Sequence, residues 1–390
     1  MKHKSAFKKI IVFFLSLPAT FLILEIGVRI VLPQPVDEFN YEDIYTKRFS
    51  KVLNADVKSL KPGIIRKKNN YIFKINDSGQ RDYYYSKEKS KNTIRIAIVG
   101  SSVNFGFNLD LKSTFGKLLE NSLKNRHSKI NYEVLLFGRP GFRAKEAYAS
   151  IKDIVIDYDP DLILYSFVQN NYESKSSEDY FYEDSQDFSN ISSQKILKDK
   201  QKNKSSTLYL KKIRNLWHKY KDSEYGIYIR SNFHLYLVST RVISNIIFTF
   251  FPNEKIIALD LDLGMPSVKR KVINTQSWID LMNKECKKEN IKFGLIMHPY
   301  EMQLNDYGLK KWKNSNIDFP EDFIEKKLQD KMKEFCINEN IYFIDAANAL
   351  VKYFNTDDLF LENDYGHYSA KGNMLISKYL KNIIISIFKD

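Results

Sequence analysis

Two short stretches, far apart in the chain, carry residue types that together could run acyl transfer. The first is Gly100-Ser101-Ser102, reached at the end of Ile94 to Val99, a run of buried-strand character. Gly100 permits a tight turn, and a strand end would deliver Ser102 to the carboxyl edge of a sheet, where open α/β folds place their ligands. The second is Asn363-Asp364-Tyr365-Gly366-His367, in which Asp364 and His367 stand close enough for the carboxylate to orient the imidazole and stabilise it once protonated. A serine needs such a base, because its free hydroxyl is far too weak an acid to attack an ester at neutral pH. Each stretch also has a plainer reading: serines that cap a helix after a strand, and an Asp and a His that cap or solvate a loop before one.

The bulk composition is that of a globular chain. Its 390 residues are 43% hydrophobic and 14% aromatic, ample for a large core in one domain or two. The net charge of +14 comes from 61 basic against 47 acidic residues and reads as a lysine-rich solvated surface. No zinc knuckle, helix-turn-helix signature or aromatic RNA-binding pattern accompanies it, so no nucleic-acid partner is expected. Cys286 and Cys336 have no metal-ligand spacing; each falls late in a helix that precedes a strand, where a buried thiol is usual, and a disulfide stays open for a domain outside the cytoplasm. No cofactor and no metal are expected.

Residues 1 to 9 carry four lysines, Lys2, Lys4, Lys8 and Lys9, ahead of an apolar run from Ile10 to Leu32 broken by Pro18, Glu25 and Arg29. Roughly 20 residues cross a bilayer, and the run lacks the short core and small-x-small site of a cleavable signal. The expectation is a signal anchor over 10–32, with the N-terminus cytoplasmic and the remainder exported. Glu25 and Arg29, four apart, share a helix face and can pair near its outer end. Pro33, Gln34 and Pro35 end the helix and begin a polar connector over 33–91, in which Tyr71 to Gly79 reads as a short strand and turn.

From Ile94 onward strands and helices alternate. Tyr132 to Phe137, Asp161 to Phe167, Ile291 to Met297 and Ile341 to Asp345 are further apolar strands. Thr114 could cap a helix bearing Phe115, Leu118, Leu119 and Leu123, and a closing helix follows His367. The pattern predicts a three-layer α/β/α domain over 92–390 on a mainly parallel sheet of about five strands. Residues 172–263 break the rhythm, acidic then strongly basic then aromatic, and read as an insertion near the active face: a lid, a membrane-facing surface or simply a solvated embellishment.

Gly100-x-Ser102 after the first strand, Gly141 after the second, Asn170 after the third and Asp364-x-x-His367 before the last helix fall where carboxyl-edge loops converge. Their order and spacing resemble the SGNH hydrolases, also called the GDSL esterase/lipase family, over about Asn76 to Lys389. Asn76-Asp77-Ser78-Gly79-Gln80-Arg81-Asp82 is similar to the turn before the first strand in membrane-anchored bacterial members, as is the apolar segment ending in Glu25 and Arg29. The resemblance implies a flavodoxin-like sheet, with Ser102 as nucleophile, His367 as base and later acid, and Asp364 as its orienter. It further implies an oxyanion hole formed by the backbone N–H groups of Ser102 and Gly141 and the side-chain amide of Asn170.

Two departures stand out: Ser101 replaces the acid of the usual Gly-Asp-Ser, and Asn171 replaces the acid of the usual Asn-Asp. Neither lost carboxylate belongs to the triad, but both could affect how Ser102 and Asn170 are held. His298, in Met297-His298-Pro299, could also reach the cleft, although such a residue more often satisfies a loop carbonyl. The resemblance implies a serine esterase or O-acyl transferase acting on cell-envelope carbohydrate through an acyl-serine. The alternative is a non-catalytic module of the same fold that binds an envelope glycan or an assembly partner.

Overall fold

The computed structural model describes residues 2–32, 41–68, 71–124, 130–169, 171–184, 233, 235, 238–239, 256–257, 262–304, 306–313, 317–353, 359–362 and 364–389. Most of the expected insertion at 172–263, and Asn170, lie outside them. The chain divides into two units, one made of Met1–Asp43, Lys67–Asn70 and Phe188–Glu254, the other of Ile44–Arg66, Tyr71–Asp187 and Lys255–Asp390.

In the first unit, helix α1 covers Lys2–Val31 with Pro18 inside it. The pairing expected from the sequence is present: Arg29 Nε donates to Glu25 Oε1 at 2.7 Å. The other Glu25 oxygen accepts the amide of Leu235 at 2.8 Å, which explains how a carboxylate in an apolar helix is buried. Among the described residues no helix is long and apolar enough to cross a membrane. The expected anchor over 10–32 begins among residues whose side chains lie outside the described set.

The second unit opens with an antiparallel hairpin, β1 (Tyr45–Ser50) and β2 (Ala55–Leu60), that the sequence reading left inside a connector. A ribbon of β3 (Ile65–Lys68) and β4 (Tyr71–Lys74) follows. It leads into a turn built on Asn76, whose Oδ1 accepts the amides of Ser78 and Gln80 at 3.1 and 2.9 Å.

The central sheet has five parallel strands: β5 (Thr93–Gly100), β6 (Asn131–Gly138), β7 (Leu162–Val168), β9 (Lys292–His298) and β11 (Tyr342–Asp345), in the order β11-β9-β7-β5-β6. Two-residue strands β8 (Ile256–Ile257) and β10 (Ile317–Asp318) pair apart from it. Residues Ile96 to Val99, Leu162 to Leu164, and Leu295 to Met297 are wholly buried, as a sheet covered on both faces requires. Helix α3 (Phe115–Leu123) packs on the closing helix Ala370–Ile387, and α4 (Ala144–Ser150) on Pro266–Lys288. The expected three-layer α/β/α arrangement is therefore present. Numbered within the sheet, the strands run 2-1-3-4-5, the flavodoxin-like order, and the crevice where that order reverses opens between the ends of β5 and β7.

Some local expectations change. Thr114 precedes α3, but its hydroxyl donates backward to Leu111 O at 2.7 Å, and the amide of Phe115 is capped by Asn373 Oδ1 at 2.9 Å. The cap therefore comes from the closing helix, 258 residues away. Cys286 and Cys336 are buried free thiols, not a disulfide, and burial pushes both up to about 12.

Glu173, beyond β7, is 5% exposed, and its Oε1 accepts the Lys145 amide at 2.8 Å. Burial, helped by Glu146, pushes its carboxyl up to about 7 against the Lys145 hydrogen bond. The folded chain thus keeps a proton that the unfolded chain releases near the ordinary value of 4.5. Stability from this group is complete below that value and falls as pH rises toward 7, by on the order of 3 kcal/mol at most. In urea denaturation at pH 5 and pH 8, Glu173→Gln should lose that part of the pH difference; an unchanged difference would refute the assignment.

Candidate active site

β5 ends at Gly100, and the chain turns directly into α2 (Ser102–Phe105), a single helical turn. Ser102 is its first residue, so its N–H is one of the amides a helix cannot satisfy internally. The turn lies directly on β6: a Cβ on Gly138 would fall 2.5 Å from the Phe105 amide nitrogen, so only glycine admits this approach. The far end of α2 is held by Arg81, from the turn before β5. Its guanidinium, 2% exposed and lying over the rings of Phe73 and Phe105, donates to the carbonyls of Phe105, Gly106 and Leu109. Asp82, the next residue, accepts the edge-strand amide of Leu136 at 2.7 Å and pairs with buried Lys117 at 2.7 Å. One dipeptide therefore fastens both the nucleophile turn and the strand beneath it.

The second stretch arrives from the other end of the chain. Leu361 N donates to His367 O, Ser369 N to Leu359 O, and Glu301 N to Tyr365 O, which ties the loop to the β9 exit. His367 Nδ1 stands 2.6 Å from Asp364 Oδ2, and its Nε2 2.7 Å from Ser102 Oγ. Asp364 Oδ1 accepts the amides of Gly366 and His367 at 2.9 and 3.0 Å. Burial alone would raise the Asp364 carboxyl, but the hydrogen bond from His367, the charge that ring carries once protonated, and those two amides hold it below its ordinary value. An ionised carboxylate can only accept, so Nδ1 carries the proton and Nε2 is left to accept from the serine hydroxyl. Phe107 stacks on the imidazole at 4.8 Å between centroids and fixes the ring plane.

A cleft of about 360 Å³ opens over the triad, lined by Ser102, Gly141, Asn171, Tyr300, Tyr365 and His367 among others. Gly141 has φ +74°, and a Cβ there would meet nothing within 4 Å, so its backbone borders open space. Ser102 and Gly141 thus both border the cleft, while Asn170 lies outside the described residues. Asn171 does work that an aspartate could not: its Nδ2 donates to Phe142 O at 3.0 Å and holds the loop carrying Gly141. Ser101 is buried, and its Oγ has no partner among the described residues. His298 does not line the cleft. Its Nε2 lies 2.8 Å from Ser166 Oγ and its Nδ1 3.1 Å from the Tyr368 hydroxyl, and burial pushes it down to about 3, so it stays neutral.

No family model matches the chain, and no curated protein does. Solved structures give distant likenesses. A lipase/acylhydrolase from Enterococcus faecalis is 15% identical with a TM-score of 0.39, covering 75% of this chain and 95% of its own. The psychrotrophic esterase EstA from Pseudoalteromonas sp. gives 12% and 0.38, covering 77% and 100%. An acetylxylan esterase from Geobacillus stearothermophilus gives 13% and 0.37, covering 76% and 94%. Ester hydrolases are among its structural likenesses. What the site can do rests on its own side chains.

In sequence Arg81 is one charged residue among the polar residues of the Asn76 to Asp82 turn, so no periodicity marks it for this task. Arg81→Met leaves three buried carbonyls without their donor, each loss costing about 1 kcal/mol or more. The variant should unfold at lower denaturant by about 3 kcal/mol, and a serine-reactive phosphonate should label Ser102 at least tenfold more slowly while the protein is folded. Unchanged labelling would show that Arg81 does not position the nucleophile.

Proposed function

We propose that this chain is a serine esterase or O-acyl transferase of the SGNH type. The observation that carries the reading is the Ser102–His367–Asp364 relay, at hydrogen-bond distance in both links and open to a cleft. Ser102 Oγ would attack an ester carbonyl carbon as its proton passes to His367 Nε2. The resulting oxyanion would take hydrogen bonds from the Ser102 and Gly141 amides and the Asn170 side chain. Collapse would expel the alcohol, which takes the proton from His367, and leave an acyl-serine. Water would release the acyl group as an acid; a sugar hydroxyl in the same position would carry it away as a new ester.

Acylated carbohydrate of the cell envelope is the substrate class we favour. Tyr300 and Tyr365, packed edge to face at 5.2 Å, put aromatic surface beside the nucleophile, and sugar rings bind such faces. We further propose that residues 10–32 anchor the chain with its N-terminus in the cytoplasm and its main domain outside. The basic start supports this, as do Leu22, Ile23 and Ile30, which are 59%, 70% and 75% exposed on α1.

Wild-type protein should take up one equivalent of fluorophosphonate at Ser102 and hydrolyse an aryl acetate. Ser102→Ala or His367→Ala should reduce turnover to near background with little further loss when combined, because the two act as a unit. Asn170→Ala should cost about 3 kcal/mol, chiefly in kcat. An inert Ser102 in protein that binds a glycan tightly would favour the non-catalytic module.

Topology is tested separately. A reporter fused after Asp390 should be active only outside the cytoplasm, and cytoplasmic activity would overturn the proposed location.

A further inference from the structure

The loop that carries Gly141 starts at Arg139, a cation that folding has buried without a counter-ion. Its side chain is 9% exposed, with the guanidinium 4.0 Å from the centroid of the Phe142 ring. That contact covers one face of the fork and leaves its N–H edges unused. Among the described residues no carboxylate or carbonyl accepts from it. Glu146, whose field reaches Arg139, has Oε2 committed to the Arg143 amide at 3.1 Å.

Arg139 borders a half-open cavity of about 240 Å³ lined by the β1–β2 hairpin, the Asn76 turn, the end of β6 and the helix that begins with α4. A second guanidinium lines the same space. Arg48 pairs with Asp153 through Nη1 at 3.2 Å, while its Nε and Nη2 are buried with no partner. Asp153 also accepts from Ser50 Oγ at 2.6 Å and from the Val52 amide at 3.3 Å, and its ion pair is with Arg48 and not with Arg139. Burial pushes the Arg139 guanidinium below its ordinary value, and the neighbouring charge of Arg48 adds to that push. The two forks repel each other across a cavity also lined by Thr46, Ser59 and Ser78, and no carboxylate is among the described residues that line it.

We propose that this cavity is a binding site for a small oxyanion, held by Arg139 and Arg48 and separate from the triad. The ligand chemistry is a compact anionic group with at least two acceptor oxygens, supplied by a phosphate or by the carboxylate of an acidic sugar. The cavity and the catalytic cleft share no lining residue, so occupancy of one does not require the other. The volume suits one phosphate or one sugar unit.

The full-length protein in detergent and an anion-poor buffer is titrated with sodium phosphate and, separately, with sodium glucuronate, following Tm and heat of binding. At least one anion should raise Tm saturably with one site per chain. Arg139→Met should abolish the rise and melt no lower than wild type without anion, because it removes an uncompensated buried charge. Ser59→Glu, which builds a carboxylate into the cavity, should also abolish it and keeps the test open if Arg139→Met fails to fold. A response to phosphate alone, or to glucuronate alone, supports the site and names the source. No saturable response to either anion, or a response that persists in the folded variants, as general stabilisation by phosphate would, overturns it.

Discussion

A single hydrogen bond, Ser102 Oγ to His367 Nε2 at 2.7 Å, joins residues 265 positions apart, and much of the domain serves to make that distance reproducible. Neither partner sits on a long element. Ser102 begins one helical turn, and His367 lies in a loop, so each side chain has to be fixed by what surrounds it. The parallel sheet solves the coarse problem by sending the ends of β5, β6, β7 and β9 to one edge. The fine positioning falls to side chains that come from distant sequence: Arg81 on the carbonyls of α2, Asn171 on the loop of Gly141, Asn373 on the start of α3, and the Phe107 ring on the imidazole face. A misplacement of 1 Å in either partner can cost a hundredfold in rate, which is ample reason for this many supports.

The legible part of the sequence was the part written in apolar runs. Ile96 to Val99 and Leu162 to Phe167 are buried on both faces, so Ile94 to Val99 and Asp161 to Phe167 read as largely hydrophobic segments bounded by turn residues, and the observed strands differ from them by a residue or so at each end. Hairpin β1–β2 was not legible for the converse reason. Tyr45–Ser50 and Ala55–Leu60 alternate charged, half-exposed and buried residues, and the pair is held by an antiparallel register and by Asp153, a residue about a hundred positions away. Asp364 and His367 could be singled out because their chemistry is local, three residues apart; the distance of His367 from Ser102 is a property of the topology alone. Thr114 shows the limit of local capping rules, since its hydroxyl turned back to Leu111 and left the cap to a side chain from the other end of the chain.

The two departures from the familiar pattern look different once geometry is in hand. Asn171 replaces an acceptor-only carboxylate with an amide that donates, and the donation reaches Phe142 O, next to Gly141. Ser101 sits in a buried position where its hydroxyl has no partner among the described residues. A carboxylate there would lose its hydration and gain no donor, so serine is the milder occupant of this environment. Both residues therefore fit the site as it is built, and neither disturbs the relay itself.

The domain holds two buried arginines near the nucleophile and treats them in opposite ways. Arg81 is surrounded by carbonyls, so its desolvation is offset by charge-assisted hydrogen bonds, and it stiffens α2. Arg139 lies over an aromatic ring with no acceptor among the described residues and faces Arg48 across a cavity. Desolvating an unpaired charge costs several kcal/mol, comparable to the entire stability of many domains. Cation–π contact with Phe142 recovers about 1 to 2 kcal/mol of that at best. An anion in that cavity would offset the remainder, and the backbone beside it is the one that leads, two residues on, to Gly141.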